Sequence, residues 1–294
     1  MMKTKRIRLT SRLRITASSI IAAAAIILLI FLGYFELQSK NLSPVDSAEF
    51  HFIDVGQGDS SMILTSEACI LIDCGPTSSA ESVTEYIGRY TDHIDCLVFS
   101  HSHEDHMGAT SAVLEKFRVN SILMTSYASD ASFFSRALDL MEEKQIAVTE
   151  AAVGETYVVG DVALRVLSPE RDFGDMNNNS IILRADVNGA AALYTGDAEA
   201  EAENAVINNH SEWLNCDILK IGHHGSSSSS SDNFIKAVSP SLAVISCGNG
   251  NSYGHPHLEV LQLLDREGIE YHRTDLEGSI IIEASQDGIR LKNP

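Results

Sequence analysis

Four potential metal ligands crowd into six residues, His101-Ser102-His103-Glu104-Asp105-His106, directly after the apolar run Ile94-Asp95-Cys96-Leu97-Val98-Phe99. The run reads as a buried strand, so the ligands leave its end within one short loop. Imidazole nitrogen with carboxylate oxygen suits zinc or another borderline divalent metal. In a tight loop alternating side chains diverge, so His101 and His103 can serve one ion while Asp105 and His106 serve a neighbour. A polar loop with surface histidines is the competing reading, and it weakens because ligand-type residues recur downstream. Tyr194-Thr195-Gly196-Asp197 sets a carboxylate just past an apolar strand. Leu219-Lys220-Ile221-Gly222-His223-His224-Gly225 sets two adjacent histidines past another. Taken singly, Asp197 is as easily a helix N-cap and the histidine pair a loop feature. Together with His101 to His106 they predict a metal centre on one rim.

The N-terminus carries a separate signal. Lys3, Lys5, Arg6, Arg8, Arg12 and Arg14, with no acidic residue among them, precede an almost wholly apolar stretch from Ile15 to Phe35. A helix of roughly 17–25 apolar residues spans a bilayer, and a basic flank keeps its own end in the cytoplasm. The rival is a cleaved signal peptide, whose apolar core is about 7–15 residues and ends at a small-x-small site. The core here is longer, and Tyr34-Phe35-Glu36-Leu37-Gln38 offers no such site. The expected organisation is a basic cytoplasmic head (1–14), a transmembrane signal anchor (15–35), a linker (36–48) and a metal-binding domain (49–294). That domain is then extracytoplasmic on a single-pass membrane protein, and secreted if the segment is cleaved.

Charge narrows the partners. The chain has 21 Lys+Arg against 40 Asp+Glu, a net −19, and six of the basic side chains sit in that head. The acidic body repels polyanions at long range, which argues against a DNA-coating protein, though a cationic centre can still draw in one phosphate. The five cysteines, Cys69, Cys74, Cys96, Cys216 and Cys247, form no CxxC pair and are expected as small buried hydrophobes.

Strand-like runs at 49–54, 61–65, 68–73, 94–99, 122–125, 156–159, 162–167, 180–186, 190–194, 217–221, 242–247, 278–283 and 289–292 are interrupted by helical patterns at 78–90, 109–117, 131–144, 199–209, 232–238 and 257–267. With no long polar break after residue 48, this predicts one α+β domain with helices outside packed sheets.

The ordered motifs resemble the metallo-β-lactamase fold superfamily, whose HxHxDH signature is met by His101, His103, Asp105 and His106. More narrowly they resemble the hydrolase domain of ComEC-type competence proteins, through Phe52-Ile53-Asp54-Val55-Gly56-Gln57-Gly58-Asp59-Ser60, Leu71-Ile72-Asp73-Cys74-Gly75, Asn177-Asn178-Asn179-Ser180, Thr195-Gly196-Asp197, His223-His224-Gly225-Ser226 and Tyr253-Gly254-His255-Pro256. The resemblance implies an αββα four-layer sandwich with one or two divalent ions, zinc or manganese, at one edge. His101 and His103 would hold one ion. Asp105, His106 and a histidine of the His223-His224 pair would hold the other, with Asp197 bridging. His224, next to Gly225, is the preferred ligand, leaving His223 toward substrate. Where many members carry a third histidine for the first ion, this chain has Asn177 to Ser180, so that site should be weaker.

A bound divalent cation can bring the pKa of water from about 15.7 to near 7. The implied activity is a phosphodiesterase or phosphoesterase, nuclease-like, using metal-bound hydroxide. Asp105 joins the catalytic set, and His223 or His255 would protonate the leaving oxygen. Asp73 would orient a ligand histidine. Asp54 and Asp59 would likewise support a ligand or simply shape the first hairpin, the structural role being favoured, and Asn179, Ser180 and Ser226 are further candidates for ligand support or substrate contact. The expected partners are a phosphoester, such as single-stranded nucleic acid or a cell-wall polymer, and the membrane. A β-lactamase or lactonase and a non-catalytic DNA-uptake or surface binding module are the alternatives.

Overall fold

A computed structural model describes residues 47–127 and 129–292. The first strands, β1 (Ala48–Phe52), β2 (Ser61–Leu64), β3 (Cys69–Ile72), β4 (His93–Val98), β5 (Arg118–Met124) and β6 (Ala147–Glu150), belong to one sheet. Two late strands, β14 (Ile280–Ser285) and β15 (Gly288–Leu291), complete it in the order β15-β14-β1-β2-β3-β4-β5-β6. The second sheet takes β7 (Thr156–Val159), β8 (Val162–Ser168), β9 (Ile182–Val187), β10 (Ala190–Tyr194), β11 (Ile218–Lys220), β12 (Leu242–Ile245) and β13 (Glu270–Arg273). Its order is β13-β12-β11-β10-β9-β8-β7.

The period-two alternation of strand side chains decides the layering. Phe50 and Phe52 of β1, Leu164 and Val166 of β8, Ala192 and Tyr194 of β10, Ile218 of β11 and Val244 of β12 form one buried cluster between the sheets. The opposite faces meet helices. α1 (Ala80–Ile87), α3 (Thr110–Lys116) and α4 (Ser132–Glu143) cover the first sheet. α5 (Ala200–His210), α6 (Asp232–Val238) and α7 (Leu258–Glu267) cover the second. The remaining α2 (Glu104–Met107) and α8 (Thr274–Glu277) are single turns. The result is the expected αββα sandwich.

Two strands escape the sequence pattern, β6 and β13. Both are edge strands, and their half- or fully exposed residues, AVTE and EYHR, give no apolar alternation to read. The five cysteines are buried and free. Among the described residues no helix is long and apolar enough to cross a membrane. The expected basic head, anchor and all but the end of the linker lie outside the described residues.

β3-β4-β5-β6 and β10-β11-β12-β13 run parallel within their sheets. The ends of β4, β10, β11 and β12 therefore open onto a common rim, the usual location for sites in parallel sheets.

Candidate metal centre

His101 follows β4 after Phe99 and Ser100, Ser102 makes a bend, and His103 is the N-cap of α2 with φ −81° and ψ 158°. What reads as a loop is thus closed by one helical turn, from which Asp105 and His106 project. Two backbone bonds clamp that turn: Asp59 N–H donates to the Asp105 carbonyl at 3.0 Å and Cys74 N–H to the His106 carbonyl at 2.7 Å. Asp197 follows β10 through Gly196, whose φ of +51° and close approach to Ser100 leave no room for a side chain. His223 and His224 sit in a 3-10 turn after β11 with φ of +50° and +55°, a left-handed conformation that costs non-glycine residues energy and clusters at functional sites.

These segments converge. Asp105, His106, Asp197 and His224 each offer a ligand atom within 4.8 Å of the others, and His101, His103 and Asp197 do the same. Asp197 belongs to both groups. His106 Nε2 is 3.2 Å from Asp197 Oδ1, and His101 Nε2 is 3.7 Å from Asp197 Oδ2. His224 Nε2 lies 3.2 Å from Asp105 Oδ2 and 3.6 Å from Asp197 Oδ1. His106 Nε2 and Asp197 Oδ1 are buried and find no hydrogen-bond partner among the described residues. Leaving such groups unsatisfied is costly, and a divalent cation between them would satisfy both. The donor set of imidazoles and carboxylates suits zinc or manganese.

Behind the histidines stand two buried carboxylates. Asp73 Oδ2 lies 2.8 Å from His106 Nδ1, and the same carboxylate accepts the Ser100 amide at 2.8 Å and hydroxyl at 2.6 Å. Asp59 Oδ1 lies 3.3 Å from His224 Nδ1. His224 Nδ1 has its hydrogen bond with the Ser246 carbonyl at 3.1 Å, beside the Asp59 charge, and His106 Nδ1 has its bond with Asp73, so in both rings Nε2 is turned toward the cluster. His101 has only the Ser100 hydroxyl at 3.1 Å behind its Nδ1.

Electrostatics follow the geometry. Burial raises the Asp197 carboxyl, but His106 and His224 overcome it and hold the group well below the usual range. Burial opposes protonation of His224, yet Asp197 and Asp59 push its pKa up to about 10; His106 is raised well above its ordinary value by Asp197 and Asp73 against the same penalty. Burial, aided by the His106 charge, lowers His101. In the metal-free protein His106 and His224 thus carry protons at neutral pH. Both folded pKa values exceed the unfolded value near 6.5, so the stability these groups contribute is present below pH 6.5 and is lost as pH rises above it, for His224 toward about 10. Metal uptake must displace those protons. Calorimetric titration with zinc at pH 7, in buffers of different ionisation enthalpy, should show net proton release and an affinity that rises with pH; binding without proton release would contradict this assignment.

The other expected residues separate. Asp54 is exposed and accepts the Gly56 amide at 3.0 Å in a turn, apart from the ligand cluster. Asn179 is committed to the loop, accepting from Phe173 N–H and donating to Asp172, and so does not stand in for a third histidine. Ser180 Oγ accepts the Asp197 amide at 3.2 Å. Ser226 is buried, its hydroxyl 3.0 Å from that of Ser228. Ring centroids of His223 and His255 are 5.6 Å apart. Both line an open cleft of about 290 Å³ with Gln57, His103, Glu104, Asp105, Asn177, Asp197, His224 and Tyr253. Sequence reasoning missed two residues. Asn177, whose buried Oδ1 is unpartnered, reaches the cleft where Asn179 does not. Lys220 lies buried against Asp59; reading β11 by parity would have put it between the sheets, where a lysine demands a partner.

Residues 53–249 match the metallo-beta-lactamase superfamily. The chain is 32% identical over 252 residues to ComE operon protein 3 of Bacillus subtilis (strain 168), covering 79% of this chain and 32% of that protein. It is 32% identical over 252 residues to competence protein ComA of Neisseria gonorrhoeae, covering 85% and 34% respectively. It spans about a third of the length of these curated relatives. Among solved structures, the metallo-beta-lactamase fold protein YhfI from Bacillus subtilis superposes with a TM-score of 0.58 at 13% identity, over 81% of this chain and 100% of that one. From the match across most of its described length, and from relatives that are ComEC-type competence proteins, the chain belongs to the metallo-beta-lactamase superfamily.

Proposed function

We propose that this chain is a membrane-anchored, extracytoplasmic phosphodiesterase or phosphoesterase, nuclease-like in its chemistry and dependent on one or two zinc or manganese ions. The observation that carries the reading is the sharing of Asp197 by two ligand groups at the floor of a cleft open to substrate. An ion on Asp105, His106, Asp197 and His224, with a second on His101, His103 and Asp197, would supply a Lewis acid and a water that ionises near pH 7.

The chain's own residues do the rest. His223 lies between two carboxylates, with Nε2 3.6 Å from Asp197 and Nδ1 3.4 Å from Glu199, and it faces the cleft as the proton carrier to a leaving oxygen. His255 is brought down to about 4 by burial and by the neighbouring His224, so it is neutral at pH 7. It therefore serves as a hydrogen-bond donor to a phosphoryl oxygen rather than as the acid. Among the described residues no lysine or arginine lines the cleft, so the negative charge of a phosphoester falls to the ions and histidines. The acidic body favours short single strands, small diesters or wall polymers over duplex DNA. The competence proteins among the relatives support association with the membrane and with DNA uptake, and residues 15–35 are the proposed anchor.

The test is hydrolysis by the purified chain, loaded with manganese or zinc, of single-stranded oligonucleotides and bis-p-nitrophenyl phosphate beside nitrocefin. Turnover of the phosphodiesters is expected. Nitrocefin turnover alone would move the assignment to an acyl hydrolase. No turnover with metal confirmed bound would move it to a binding module.

A further inference from the structure

Lys220 ends β11 on the face it shares with Ile218, which packs between the two sheets. It is 2% exposed. Its ammonium is 2.8 Å from Asp59 Oδ2 and donates to the Ile221 carbonyl at 2.7 Å. Asp59 belongs to the loop between β1 and β2 of the other sheet, so the ion pair crosses the sandwich. The second oxygen of the same carboxylate is the one that lies 3.3 Å from His224 Nδ1. Burial works to raise Asp59, but Lys220, followed by His224, pulls it down to about 2 and keeps it an anion.

A buried ion pair is a poor way to hold two sheets together. Its desolvation penalty often exceeds its attraction, and well-packed apolar residues of similar volume commonly do as well or better. Ile72, Val98, Ile181 and Leu183 stand around the pair, together with the polar Ser61, Asp73, Ser100 and Tyr194. The Ser246 carbonyl, 3.1 Å from His224 Nδ1, already supplies a neutral acceptor; what an apolar pair cannot supply is the anion that Asp59 adds 3.3 Å from the same nitrogen, behind a histidine held in a left-handed turn. Asp73 does that job for His106 with only neutral hydroxyl and amide donors from Ser100. Asp59 alone has a cation behind it.

We propose that Lys220, acting through Asp59, is a positioning residue that orients His224 and thereby sets the metal affinity of the group formed by Asp105, His106, Asp197 and His224. The assignment rests on the metal-centre reading above. It differs from a role in stability because the two make opposite forecasts for an apolar replacement.

The experiment compares the full chain with Lys220→Met, Asp59→Asn and the double replacement Asp59→Leu/Lys220→Met. Cobalt(II) and zinc affinities are measured by chelator competition, cobalt coordination by its visible absorption spectrum, and folding of each metal-free protein by thermal melt. Loss of a partner that orients a metal-bound histidine typically weakens binding about 10–100-fold. That weakening is expected in all three variants, with an altered cobalt spectrum, even where the double variant melts at or above the wild-type temperature. Should Lys220→Met or the double variant fail to fold, Asp59→Asn, which keeps the shape and an amide oxygen for Lys220, carries the test alone. Wild-type affinity and spectrum in every folded variant would overturn the proposal. An Asp197→Asn control separates the two claims. If wild type itself binds no metal, or Asp197→Asn binds as wild type does, the metal-centre reading fails instead.

Discussion

Replacing Asp197 by Asn should strip at least one ion from the protein and cut phosphodiester hydrolysis by about 10³-fold or more, beyond the 10²–10³ that follows loss of a single preorganised donor. The expectation comes from position. Asp197 is the one residue common to both ligand groups, and four imidazoles (those of His101, His106, His223 and His224) lie within 3.7 Å of its carboxylate. The amide variant keeps its size and its backbone bond to Ser180 but removes the charge that balances two cations and the raised His106 and His224. Elemental analysis beside initial rates reads both effects. Metal content and rate within tenfold of wild type would show that the two groups do not share a working ion.

Gly58→Ala should be the most damaging small change away from the ligands. A Cβ at Gly58 would stand 2.4 Å from the Asp105 carbonyl oxygen and 2.8 Å from Pro76 Cδ, at a φ of +150° that side-chain-bearing residues avoid. Overpacking costs about 1–3 kcal/mol and backbone strain about 1–3 kcal/mol. At about 2–4 °C per kcal/mol for a domain of this size, the melting temperature should fall by roughly 5–20 °C. The clash also pushes on the turn that carries Asp105 and His106, so metal affinity should fall with it. Gly56→Ala is the control: φ is +74°, but nothing lies within 4 Å of its Cβ, so it carries only the left-handed penalty of about 1–2 kcal/mol. Equal melting temperatures for the two variants would remove steric contact with the ligand turn as the cause.

Much of the sandwich was legible because buried strands write themselves as apolar runs, and the segment from Ile94 through His106 joins such a run to its ligands without a gap. Convergence of Asp197 and His224 on the same rim was legible for the same reason, since each follows an apolar strand. What stayed hidden had no such signature. The edge strands β6 and β13 bury too little to alternate. Glu104 to Met107 looked like a loop because a single helical turn has no period to detect. Within Asn177 to Ser180, only the fold decides that Asn177 faces the cleft while Asn179 braces its own loop. Lys220 shares the parity of the interior Ile218, but the carboxylate that makes a lysine tolerable there, Asp59, is distant in sequence and gives no local sign of the pairing.

The ligands come from both sheets, and Asp105 and His224, 119 positions apart, touch only across the seam. Bringing such distant segments together is slow and entropically expensive, and is completed only when long-range contacts close. A chain whose two sheets have not docked therefore holds fragments of the ligand set but not the whole, and the capacity to bind a metal there becomes a report on closed tertiary structure.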